Sequence, residues 1–152
     1  MNARLLSHLA EERDVVQTFL ELLDQEAEAL VHGNFTQLPA LSERKAQIAD
    51  RLALLDSERE RQQVALGFPP DHDGANAAAL AGGENLQRAW QELLECAAQA
   101  RERNHRNGVL IHTHLDYTRQ SINFLRASGQ SLYGSDGQHK VGIGNGNSIA
   151  AG

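Results

Sequence analysis

The sequence predicts an all-α protein: a three-helix antiparallel, coiled-coil-like bundle with an overlong third helix and a flexible glycine-rich C-terminal tail. Three observations predict it. Aromatic residues make up only 5% of the 152 positions, and Leu, Ala, Glu, Gln and Arg are abundant, a composition that suits helices better than sheets. Only three prolines interrupt the chain. Apolar residues recur at alternating spacings of three and four along three long stretches, the pattern of packed helices.

The first helix is expected over about residues 3–32, with a seam of Leu5, Leu9, Glu12, Val16, Phe19, Leu23, Glu26 and Leu30. Gly33-Asn34 ends it, and His32 in its last turn complements the negative end of the helix dipole. The second is expected over about 36–65, with Thr36 as N-cap and Pro39 slightly deep for the first turn. Its seam is Leu38, Leu41, Lys45, Ile48, Leu52 and Leu55. Lys45 can lay its stem on apolar surface and extend its ammonium to water. The connection between the two helices is short, so they should be antiparallel neighbours.

Residues 66–83 read as a loop, punctuated by Gly67, Pro69, Pro70, Gly74, Gly82 and Gly83, with a single short turn of helix at Ala77–Leu80. The third helix is expected over about 84–131. Its seam runs from Leu86, Trp90 and Leu93 through Asn104 and Asn107 to Ile111, Leu115, Ile122 and Leu125. Asn107-Gly108 resembles a turn, but the seam crosses it without changing phase. At 1.5 Å per residue this helix is roughly 70 Å long, against roughly 45 Å for each of the others. Asn104 and Asn107 either fix the register of the bundle from inside it or are exposed where the seam drifts. Residues 1–132 thus form one helical domain. Residues 133–152 hold repeated glycines and no apolar periodicity, as a flexible tail does.

Charge and composition exclude several functions. The formal net charge is −6, and no basic stripe offers itself to nucleic acid. Seven acids in residues 1–35 face only Arg4 and Arg13, which reads as a solvated anionic face. No apolar run approaches the roughly 20 residues of a membrane span, no signal peptide is recognisable, and Cys96 is the single cysteine. A cytoplasmic protein that does not insert into membranes is expected.

Few residues stand in patterns that carry chemistry. His112 and His114 point about 200° apart on a helix and cannot share a metal. Asp71-His72-Asp73 has no second pair of ligands. Cys96 reads as a half-buried, inert residue. Gly142–Gly146 is glycine-rich, but it lacks the strand and helix of a phosphate loop. No catalytic residue, metal or cofactor is expected, and no enzyme.

Residues 109–132 are more informative. On a helical wheel with Leu110 at 0°, Ile111, Leu115, Thr118, Ile122 and Leu125 fall between about 60° and 140°, and Tyr117 and Phe124 near 320–340°. Only His114 and Ser121 interrupt the gap, so the apolar arc approaches 180°, wider than the roughly 100° stripe of an ordinary surface helix. Such an arc marks either a surface that binds another protein or the seam of a homodimer.

Three segments resemble a known family. Leu22-Leu23-Asp24-Gln25-Glu26-Ala27-Glu28-Ala29-Leu30 is followed by Gly33-Asn34 and a second helix with Leu41 and Lys45. Asn104-His105-Arg106-Asn107-Gly108 precedes the apolar residues Val109, Leu110 and Ile111. Leu132-Tyr133-Gly134-Ser135-Asp136-Gly137 closes the last helix. Together these segments resemble the FlgN family of flagellar type III export chaperones. The resemblance implies a cytoplasmic protein that binds the C-terminal helical regions of the hook–filament junction proteins FlgK and FlgL. It would keep them from polymerising early and deliver them to the export gate component FlhA. It places substrate binding on about Val109 to Leu132, where the partner-binding residues are expected at Leu110, Ile111, Leu115, Tyr117, Ile122, Phe124, Leu125 and Leu132, and a gate contact at Tyr133, whose alternative role is a cap packed on the helix end. The competing reading is a coiled-coil adaptor or self-assembling bundle without an export role.

Overall fold

The computed structural model describes the backbone of residues 2–132 and the side-chain surroundings of residues 2–129. The expected tail and Tyr133 lie outside the described residues, as does the side chain of Leu132. The described chain is helical: α1 (Asn2–His32), a 3-10 turn (Phe35–Gln37), α2 (Leu38–Ala65), α3 (His72–Gly82) and α4 (Glu84–Leu132). It divides into two units, Met1–Asn107 and Gly108–Gly152.

Local chemistry sets each boundary. α1 stops where Gly33 takes φ +73°, a conformation that favours glycine. Asn34 N–H then donates back to the Ala29 carbonyl at 2.8 Å, closing the helix with a Schellman-type bond. α2 starts two residues later than expected, at Leu38. The 3-10 turn takes up Thr36, and Pro39 then sits in the first turn, where its missing N–H costs nothing. α2 ends in the same manner as α1, with Gly67 at φ +90° and Phe68 N–H donating to the Gln63 carbonyl at 2.9 Å.

The expected loop 66–83 is largely a fourth helix, so the three helices of the sequence reading become four. Asp71 caps α3, its carboxylate accepting from Gly74 N–H at 2.7 Å. Ala75, Ala78 and Ala79 bury their methyl groups in the core. The segment's Gly and Pro content masked the helix. The prolines stand before the cap, Gly74 lies where the backbone passes Pro69, and Gly82 packs under Leu86. A side chain at either glycine would collide with these neighbours, so close approach rather than a loop explains them.

In the first unit, Arg13 meets Glu92, Gln17 meets Cys96 and Asp24 meets Arg103 at one constant sequence offset. α1 and the first part of α4 therefore run parallel. α2 runs opposite to both: Glu12 meets Arg59 while Glu26 meets Lys45, and Arg59 faces Trp90 while Lys45 faces Asn104. The main core joins Leu5, Leu9, Val16, Leu20 and Leu23 of α1 to the α3 alanines and to Leu86, Trp90, Leu93, Cys96 and Ala100 of α4. A smaller cluster, Leu22, Ala29 and Leu41, seals α1 to α2. Burying a Leu or Val side chain contributes about 1.5–3 kcal/mol, so the aliphatic seam is the main adhesive.

Several polar residues lie inside this seam. Glu26 is buried, and its carboxylate accepts from Lys45 Nζ at 3.2 Å and from Asn107 Nδ2 at 3.0 Å. Lys45 also donates to Asn104 Oδ1 at 2.8 Å, and Asn107 to the Leu23 carbonyl at 2.8 Å. The head of Lys45 thus turns to partners within the bundle rather than simply to water. Asn107 is buried, which decides its case for the interior. The anionic face expected of residues 1–35 is also reduced. Glu12 and Glu26 are buried, while Glu11 pairs with Arg51 and Asp24 with Arg103.

α4 is helical at every residue through Asn107 and Gly108, as the continuous seam indicates. Nothing lies within 4 Å of the space a Cβ at Gly108 would fill.

Candidate functional site

The site is built on the part of α4 that belongs to the second unit. Leu110, Leu115, Tyr117, Ile122, Phe124 and Leu125 are all exposed, Phe124 at 70% and Leu125 at 67% of their full surface. Ile111 is half-buried. The structure therefore places seven of the eight expected partner-binding side chains on one helix, six of them exposed, from Leu110 and Ile122 at 42% to Phe124 at 70%. A soluble helix normally buries its apolar stripe, and contiguous exposed apolar surface marks an interaction site.

The surroundings of this face are polar but weakly charged. His112 lies 3.6 Å from Asp116 on the polar side, while Thr118 and His114, with Oγ1 and Nε2 3.5 Å apart, sit within the arc itself. Arg119 is exposed on the far side. Val109 is exposed as well but falls outside the arc at about 260°. Sequence reasoning did not single it out, because one apolar residue off the stripe carries no periodic signal.

The described residues gather no group of three or more His, Cys, Asp or Glu side chains able to hold a metal. Cys96 is buried, and Gln17 Nε2 donates to its Sγ at 3.1 Å. Among the described residues, no helix is long and apolar enough to cross a membrane.

One buried ionic cluster does exist, in the first unit. Glu12 lies under Arg59, whose Nε donates to it at 3.0 Å. Arg59 also pairs with Asp56, donates to Gln63 Oε1 at 2.7 Å, and stacks its guanidinium 5.1 Å from the Trp90 ring centroid. His8 Nε2 bonds to the Leu55 carbonyl at 2.7 Å and lies 3.1 Å from Glu12. A carbonyl only accepts, so this nitrogen carries a proton. Burial raises the Glu12 pKa above its ordinary value, against the opposing pull of Arg59 and His8. His8, Glu12, Arg59 and Gln63 satisfy one another in the core, while Asp56 pairs with Arg59 from its exposed edge. The cluster is structural, joining α1, α2 and α4.

The fold and this face together define a class: a helical protein with an exposed apolar helix face. A family model described as FlgN protein matches residues 1–140, and the chain belongs to the FlgN family. It is 30% identical over 140 residues to the flagella synthesis protein FlgN of Yersinia enterocolitica, covering 90% of each chain. It is 25% identical over 138 residues to the flagella synthesis protein FlgN of Escherichia coli K12, covering 89% of each. No solved structure matches at comparable significance.

Proposed function

We propose that this protein is a cytoplasmic export chaperone of flagellum synthesis. It binds the C-terminal helical regions of FlgK and FlgL, prevents their premature polymerisation and delivers them to FlhA at the export gate. The observation that carries this reading is the exposed arc from Leu110 to Leu125, taken with membership of the FlgN family. A subunit awaiting export has amphipathic helices whose partners in the polymer are not yet available. An apolar helix face shields them by side-chain packing, the helix-in-groove mode of recognition. The complex must also come apart at the gate, which favours a moderate interface over an obligate one. Leu132 takes part in the same binding, and Tyr133 makes the gate contact. No catalytic chemistry is part of this function.

Co-purification with the C-terminal segments of FlgK and FlgL tests it. Ile122→Asp and Phe124→Asp should each abolish capture while the circular dichroism spectrum stays helical, because both side chains are exposed and no core contact is lost. Removal of residues 138–152 should leave capture intact. Normal capture by both folded variants would end the proposal. A homodimer seam is the competing use of the same arc. Light scattering separates the two, since a dimer whose mass does not respond to added substrate supports the seam.

A further inference from the structure

The first unit carries a groove that the α4 face does not use. Its volume is about 390 Å³, and it lies between α2 and α4 over residues of α1. On α4 its wall includes Trp90, Leu93, Leu94, Ala97 and Arg101. These recur every three or four positions, so the groove follows the helix axis for roughly 16 Å. Small side chains keep it open. Ala53 of α2 and Ala97 of α4 line it, where larger residues would interdigitate and close the gap.

The groove is apolar along its length and charged at its ends. At one end Arg59 is shared by Glu12 and Asp56, two carboxylates on one guanidinium, and the Asp56 side chain is 53% exposed. At the other end Arg101 is exposed and forms no ion pair among the described residues. Because Arg59 faces Trp90 and α2 runs opposite to α4, the Asp56 and Arg101 ends are roughly 12 Å apart, about two helical turns.

We infer that this groove docks an amphipathic helix of another protein, apolar on its docking face, with a carboxylate near its N-terminus against Arg101 and a Lys or Arg about two turns later against Asp56. The shape calls for a rod lying along two antiparallel helices, which makes it a fourth long member of the bundle. Arg101, with no ion-pair partner among the described residues, and Asp56, half-exposed beside an Arg59 that Glu12 also holds, set its direction. An acid near the N-terminus and a base toward the C-terminus is also the arrangement that the helix dipole favours within the ligand.

The test is fluorescence anisotropy on the full chain with a labelled, stapled helical peptide of about 15 residues. It carries Leu on one face, Glu in its first turn and Lys about eight positions later. Binding should fall about tenfold or more with Arg101→Glu, which changes an exposed side chain and spares the core. Exchanging the peptide's Glu for Lys should then restore binding to that variant and weaken it to the original chain. Ala97→Arg, checked for helicity, should also block the peptide, while Ile122→Asp should leave its binding unchanged. No binding to the original chain, or equal binding to Arg101→Glu, would overturn the inference. So would a concentration-dependent dimer that Ala97→Arg abolishes, since the groove would then belong to a second copy.

Discussion

Glu12 shows how one buried side chain ties stability to pH. Burial is the largest influence on it and raises its pKa above the ordinary 4.5, so the fold holds its proton more tightly than the unfolded chain does. The stability from that proton is fully present below the ordinary value and is lost as pH rises through the raised one. Glu12→Gln removes this titration. Urea midpoints from about pH 4 to about pH 7 should show the original chain losing ground relative to Glu12→Gln as pH rises; a gain would contradict the sign. Gly74 poses a steric question at the same scale. A Cβ there would meet the Pro69 carbonyl, a backbone group that cannot step aside. Gly74→Ala should therefore cost about 1–3 kcal/mol of stability, readable by thermal melting. Neither effect was legible in the sequence. Glu12 stood in the seam without a visible partner, because Arg59 is 47 positions away. Gly74 read as a loop glycine because the neighbour it must avoid arrives only through the fold.

At the scale of elements, α1, α2 and α4 were legible because each repeats its apolar spacing over many turns. α3 was not. Eleven residues allow barely three turns, and alanine carries little of the apolar signal that marks a buried face. Its clearest mark was Asp71, an N-cap residue placed just before the alanines. Asp71→Ala should lower stability by about 0.5–2 kcal/mol, with hydrogen exchange quickening first in residues 72–82. Gly108 is the opposite of Gly74: it lies in helix with open space where a Cβ would stand. Gly108→Ala should raise helical content and stabilise α4 by about 1 kcal/mol, measurable by circular dichroism on heating. A loss would mean that the position has a use for its flexibility.

At the scale of the molecule, the two units differ in how they treat their apolar residues. The first unit buries its seam and pairs its polar intruders. The second displays large apolar side chains that a self-contained domain would hide. The exposure of most of the arc's described residues was legible, since periodicity alone places them on one face. The groove between α2 and α4 was not, because it depends on small residues of two helices coming level, and no single stretch of sequence records that. Binding through the arc should respond weakly to salt, because the face is apolar and surface ion pairs are what salt screens. Binding through the groove should weaken as salt rises. Titrations of each at low and high ionic strength should separate the two surfaces. The hidden order of residues 66–83 also bears on how the protein can be handled. Gln63 Nε2 donates to the backbone carbonyls of Pro69 at 3.0 Å and Asp71 at 3.2 Å, and Ala75, Ala78 and Ala79 are anchored in the core. A stretch that looks like the natural place to nick the chain or splice in a tag is instead a clasp. Proteases should find it slowly, and an inserted sequence there should unseat the bundle. The exposed corner at Gly33-Asn34 is the better place to open the chain.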